Sequence, residues 1–356
     1  MNDFKAFKFY KLAADQVCAY AQWFLGKMLY SGDEVKEDRF EAFKYYKLSA
    51  DQGDGDAQFD LGGMLLIGDG VKEDHFESFK YYKLAADQGH VVAQCELGLL
   101  LCFGIGVKED RFEGFKYYKL AADQGHKGAQ WDLGNMLLTG DGVKQDKFEA
   151  FKYYKLAADQ GHKNAQWDLG DMLLTGDGVK QDKFEAFKYH KLAADQGCVV
   201  AQCKLGVSLY SGDGVKEDRF EAFKYLKLSA DQGDADAQCI LGDMFNDGDG
   251  VKEDRFEAFK YYKLATDQGL ADAQFILGIM YGNGEVVKQD KFEAFKYTKL
   301  AADQGLADAQ FILGVKYDGG EGVNQNESEA FKYYKRAAEQ GHESAQEYLD
   351  MVLDDN

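Results

Sequence analysis

The chain has no proline in 356 residues, where average usage gives roughly 18. A sequence whose helices and loops are all copies of one proline-free unit accounts for that absence. No stretch approaches the ~18 consecutive apolar residues of a membrane span. The start, Met1 to Tyr10, alternates charges with aromatics and has no apolar run of signal-peptide length. A cytoplasmic protein is the expectation. Cysteine is sparse: Cys18, Cys95, Cys102, Cys198, Cys203 and Cys239 form no CxxC and no recurring spaced pair. That speaks against a disulfide framework or a structural zinc site and for reduced thiols. Positive charge is in deficit, with 42 Lys and Arg against 62 Asp and Glu, a net charge of −20. Such a surface repels phosphate backbones, which makes nucleic acid and anionic membranes poor candidate partners, and no membrane insertion is expected. Apolar residues are abundant, at 46% with 14% aromatic, which excludes intrinsic disorder.

What is present is a repeat. A Leu-Gly pair begins at Leu25, Leu61, Leu97, Leu133, Leu169, Leu205, Leu241, Leu277 and Leu313, always 36 residues apart, and Leu349 keeps the register without the glycine. Periods of this length signal a solenoid of stacked units. In residues 126–161, Ala129, Leu133, Met136 and Leu137 have the spacing of an amphipathic helix, here helix A. A Thr-Gly-Asp-Gly-Val loop follows, and Asp146 with Glu149 reads as a capping box that starts helix B. Helix B carries Phe148, Phe151, Tyr154, Leu156 and Ala157 as its apolar residues and stops at Gly161. The expected organisation is a half repeat (helix B) over 1–17, nine tandem repeats over 18–341, and a capping helix with an acidic tail over 342–356. Phe4, Phe7 and Tyr10 have no preceding unit, so the N-terminal end is a candidate for self-association.

The pattern Ala129, Leu133-Gly134, Gly140, Gly142-Val143, Asp146, Ala150, Tyr153-Tyr154, Ala157-Ala158 and Gly161 resembles the Sel-one-like repeat (SLR) family, a relative of tetratricopeptide repeats. The resemblance covers essentially the whole chain. It departs from the pattern at Glu34 and Val286, which stand where the second loop glycine belongs. It implies an all-α, right-handed α/α superhelical solenoid that acts as a non-catalytic scaffold or adaptor for a protein or peptide. The alternatives are a secreted or effector-type protein with a cryptic hydrolase or ligand-binding activity, and a structural homo-oligomer.

In related arrays helix A lines the concave groove, with exposed positions two before, two after and five after the leucine. These positions also differ most between the units. The candidate protein-binding residues are Trp131, Asn135 and Leu138 in one repeat, Trp167, Asp171 and Leu174 in the next, and Tyr30 and Tyr210 elsewhere. The aromatics two before the leucine read equally well as packing between repeats. The charge and Asp171 favour a partner with basic segments. His90, His126 and His162 directly follow a helix-B glycine, one per repeat. No cysteine or carboxylate completes four zinc ligands within a unit, so they read as turn residues. The GDGV loops lack phosphate-loop spacing and a preceding strand. No catalytic residues, cofactor or metal are expected; Ser31, Ser208 and Ser211 have no SxxK spacing.

Overall fold

A computed structural model describes residues 3–32, 35–284 and 286–354. The Glu34 loop variant and the last two tail residues lie outside them, as do the side chain of Phe4 and the tail's Asp354. The described residues form helices and connecting turns, with no strand. The chain divides into two compact units, Met1–Asp182 and Lys183–Asn356. The first holds α1 (Asp3–Asp15), α2 (Ala19–Ser31), α3 (Arg39–Ala50), α4 (Gly55–Ile67), α5 (His75–Asp87), α6 (Val91–Phe103), α7 (Arg111–Asp123), α8 (Lys127–Thr139), α9 (Lys147–Asp159) and α10 (Lys163–Thr175). The second holds α11 (Lys183–Asp195), α12 (Val199–Ser211), α13 (Arg219–Asp231), α14 (Ala235–Asp247), α15 (Arg255–Asp267), α16 (Ala271–Asn283), α17 (Lys291–Asp303), α18 (Ala307–Gly319), α19 (Glu327–Glu339) and α20 (Glu343–Asp354). Even-numbered helices are A helices and odd-numbered ones are B helices. Within each unit every helix packs on the next, giving the tandem hairpins of an all-α solenoid.

Local chemistry explains each hairpin. Helix α8 buries Ala129, Leu133, Met136 and Leu137, the arc that the spacing predicts. It stops where Gly140 takes φ +78° and donates its N–H to Met136. Asp146 caps α9 by accepting from the Glu149 N–H at 2.9 Å. The reciprocal arm of the capping box is not used. The Asp146 N–H donates instead to the Leu137 carbonyl at 2.9 Å, tying helix B to the end of helix A. With that donor satisfied, Glu149 pairs with Lys152 at 2.7 Å. The same two contacts recur in α3, α5, α7 and α13.

Two of the apolar residues that helix B carries are on its surface. Phe148 is 59% exposed and Leu156 50% exposed, while Ala150, Tyr154, Ala157 and Ala158 form the buried arc. A position two residues from a buried one lies about 200° round the helix, which turns Phe148 away from Ala150 and Leu156 away from Tyr154.

Neighbouring repeats are joined by a glutamine ladder that periodicity of apolar residues does not reveal. Gln130, buried in α8, donates to the Ala122 carbonyl of α7 at 3.2 Å and accepts from Gln160, just past α9, at 2.7 Å. Gln58, Gln94 and Gln238 make the same pair of bonds. Buried amides matched in this way add specificity, and an unmatched one costs about 1–3 kcal/mol. The first loop turn is pinned as well. Arg39 pairs with Asp69 at 2.6 Å and Lys147 with Asp177 at 2.6 Å, thirty residues on. Both pairs are partly exposed, so each contributes no more than about 1 kcal/mol.

The ends of the array differ in polarity. Phe7 and Tyr10 are half-buried against α2, with Tyr10 stacked on Phe24 at 4.2 Å; among the described side chains of α1, Phe9 and Leu12 are the exposed large apolar ones. In α20, Leu349 is buried while Glu347 and Asp350 face solvent. No described helix is long and apolar enough to cross a membrane.

Candidate functional site on the A helices

The side chains two before each leucine both pack between repeats and form part of the A-helix surface. The Trp23 indole N–H donates to Asp60 at 2.7 Å, and that of Trp131 donates to Asp168 at 2.6 Å. Phe59 stacks on His90 at 4.7 Å, and Trp131 lies 5.4 Å from the His162 ring. Trp167 is half-buried.

Two after the leucine, exposure varies. Lys27, Asp171, Ile279 and Val315 are exposed, whereas Asn135 is half-buried and accepts from the Tyr154 hydroxyl at 2.6 Å. Asp243 holds Tyr262 in the same way at 2.8 Å. A substitution at Asn135 therefore disturbs a buried tyrosine as well as the surface. Five after the leucine, Tyr30 and Tyr210 each lie under a guanidinium, Arg39 and Arg219, at 3.9 Å. Leu138 and Leu174 are half-buried, and their carbonyls accept from Gln145 and Gln181.

In the first unit these register positions converge. A groove of about 480 Å³ is lined by Trp23, Lys27 and Tyr30 of α2 and by Phe59, Gly63 and Leu66 of α4, with Asp60 and Ile67 completing its rim. The first six are the residues two before, two after and five after the leucine in consecutive repeats. The second unit has a groove of about 540 Å³ between α12, α14 and α16. Cys203, Val207, Cys239 and Ile240 line it, and Asp234, Asp236 and Asp272 stand around them. The Trp131 and Trp167 repeats, expected to form the centre of the surface, line neither groove. Of the candidate residues, Tyr30 lies in one of these two grooves.

One residue before the leucine, the first unit carries carboxylates: Asp60, Glu96, Asp132 and Asp168. Burial raises the pKa of each, that of Asp132 to about 6 with help from Glu96. The equivalent positions in the second unit are Lys204, Ile240, Ile276 and Ile312. Burial pushes the thiols of Cys95, Cys203 and Cys239 up to about 12, so at neutral pH they are protonated and weakly nucleophilic. Ser211 donates to the Val207 carbonyl of its own helix.

The histidines that precede A helices cap them. Nδ1 of His90, His126 and His162 accepts from the N–H three residues on, at 3.1 to 3.2 Å, the position that Asp54 and Asp234 fill in other repeats. An accepting Nδ1 carries no proton, so protonation abolishes the cap, worth about 1 kcal/mol. Burial lowers the pKa of His126 and His162. Their contribution is therefore present above the ordinary value near 6.5 and is lost as pH falls below it. The buried carboxylates, raised in pKa, act in the opposite sense. The double variant His126→Asn and His162→Asn keeps an oxygen acceptor and removes the titration. Its melting temperature relative to the parent should rise as pH drops from 7.5 to 5.5; a constant difference would show that the caps do not titrate in this range.

The Sel1 repeat matches residues 2–17, 19–54, 55–90, 91–126, 128–162, 163–198, 199–234, 235–270, 271–306 and 307–342. Among solved structures, the chain is similar to a protective antigen of uropathogenic Escherichia coli that displays an SLR fold, with 33% identity and a TM-score of 0.89. That match covers 95% of this chain and 73% of the antigen. It is also similar to a Sel1 repeat protein from Oxalobacter formigenes, with 31% identity, a TM-score of 0.65, and coverage of 87% and 89% respectively. No curated protein sequence matches the chain significantly.

Proposed function

The chain belongs to the Sel1 repeat family, whose members are generally protein-interaction scaffolds, and from that premise we propose that it is a non-catalytic adaptor. It holds an extended, partly basic protein segment along the groove of its A helices. The observation that carries this reading is the convergence of Trp23, Lys27, Tyr30, Phe59, Gly63 and Leu66 on one open groove. These are positions at which the repeats differ, while the leucine and glutamine positions that hold repeats together do not vary. Apolar walls beside Asp234, Asp236 and Asp272 in the second groove suit apolar residues flanked by Lys or Arg, while in the first Lys27 and Asp60 offset each other. The working division is a half repeat over 1–17, nine repeats over 18–341 and a cap over 342–356, and the cytoplasm is the proposed site of action.

The test uses peptides selected from a random display library on the immobilised full chain. Ile67 and Val200 are 67% and 54% exposed and border the two grooves, so Ile67→Arg and Val200→Arg add a repelling cation without emptying the core. Each should weaken peptides bound at its own groove by about tenfold or more, the effect of ~1.4 kcal/mol, and added salt should weaken binding further. Lys144→Glu in an outer loop should change little. Binding that survives both groove changes and fails with Lys144→Glu places the partner on the loop edge and overturns the proposal.

A further inference from the structure

The B helices carry a second surface. In the first unit Phe40, Phe76, Phe112 and Phe148 are 57 to 59% exposed, and the leucine eight residues after each is 48 to 50% exposed. Residues eight apart lie within about 80° on a helix, so each B helix shows an outward Phe–Leu stripe. The lysine between them lies over one face of the ring, at 4.2 to 4.6 Å from its centre. Successive B helices lie side by side, because Lys47, Lys83 and Lys119 donate to Tyr81, Tyr117 and Tyr153 of the next one at 3.0 to 3.1 Å. The stripes thus join into one apolar ladder that packing within the fold does not require.

We propose that this outer face docks a second copy of the chain. Three observations select that occupant. The rungs recur once per 36-residue repeat, and a second copy presents the same spacing, so that every rung meets a rung. At a ring area of about 150–250 Å², four phenylalanines three-fifths exposed offer some 400–600 Å², and with the leucines the total approaches the ~800 Å² that each partner gives to a standard interface. The charge is also balanced here in a chain of net −20. Residues 38–51 hold Arg39, Lys44 and Lys47 against Asp38, Glu41 and Asp51, with Lys44 paired to Glu41 at 2.7 Å. Residues 110–123 and 146–159 balance likewise, so the B-helix face carries little net repulsion between two copies. In α19 of the second unit, Ser328 and Arg336 stand at the helix positions of the phenylalanine and the leucine.

That last repeat supplies the test, since Ser and Arg are compatible with helix B there. Sedimentation of the full chain from low to high micromolar concentration should show a monomer–dimer equilibrium. The variant F76S/L84R/F112S/L120R should raise the dissociation constant at least about thirtyfold, the factor for 2 kcal/mol of lost anchor contacts, with helicity and melting temperature unchanged. If four changes lower helicity, the pair F112S/L120R carries the same test with a smaller shift. A wild-type chain that stays monomeric overturns the proposal, and binding of that monomer to lipid vesicles would assign the face to a membrane surface. Loss of the dimer through Phe9→Ser and Leu12→Arg in α1, with the ladder variant still dimeric, overturns it in favour of the N-terminal end. Failure of the groove proposal leaves this one standing.

Discussion

A chain lacking residues 126–161 should remain an all-helical protein that melts within a few degrees of its parent, whereas one lacking only residues 126–143 should lose helicity or aggregate. The larger deletion joins Gly125 to His162, and every joining contact has a replacement in register. The Ala121 carbonyl that accepts from His126 would accept from His162, and the Ala122 carbonyl held by Gln130 would be held by Gln166. Arg111, now paired with Asp141, meets Asp177. Because each repeat touches only its neighbours, stability is a sum of local terms and one unit is dispensable. The smaller deletion removes α8 and its loop. It takes away Leu133, Met136 and Leu137, each at most 7% exposed, and strands the Asp146 N–H that Leu137 accepts. Losing one such side chain costs about 2–5 kcal/mol, and here a whole buried stripe goes while two B helices are forced into succession. Far-UV circular dichroism and size-exclusion chromatography separate the outcomes. Equal tolerance of both deletions would show that the hairpin is not the unit of folding.

Gly106→Ala should destabilise the protein by about 3 kcal/mol or more, and Gly125→Ala by about 1 kcal/mol. Both glycines have positive φ, +71° and +89°, so both substitutions place an L-residue in the left-handed region, at roughly 1–2 kcal/mol. They differ in what a Cβ would meet. At Gly106 it would lie 2.1 Å from the His75 carbonyl oxygen and 2.4 Å from the carbonyl carbon, backbone that cannot step aside. At Gly125 nothing lies within 4 Å. Gly106 belongs to the loop that closes on the first turn of the preceding B helix, so relief requires the two repeats to move apart. Urea unfolding of the two variants measures the difference. Equal shifts in midpoint would mean that the loop does not hold neighbouring repeats in close contact.

The array was legible because its signals are local: period, caps and terminating glycines recur every 36 residues, and the structure uses each of them. Exposure of Phe148 and Leu156 was not, since large apolar residues on a helix ordinarily mark its buried face, and only the alanine arc of Ala150, Ala157 and Ala158 decides which face that is. The glutamine ladder had a visible sign, a glutamine after the alanine of every A helix, but its meaning depends on a carbonyl eight residues earlier and an amide thirty residues later. The register positions of the candidate surface could be counted from the leucine. Which repeats open into a groove could not, because that depends on which side chains face each other across neighbouring repeats: Lys27, Gly63 and Leu66 leave space between α2 and α4. His90, His126 and His162 stand at the start of helix A but half-buried rather than exposed in the turn, and their role as caps follows from the orientation of Nδ1.

The most direct test of the adaptor reading is amide hydrogen exchange on the full chain, with and without a basic peptide selected against it. Exchange should slow in α2 and α4, or in α12, α14 and α16, while B helices and outer loops exchange as before. Protection confined to the B helices or to the GDGV loops, with the A helices unchanged, would contradict the account.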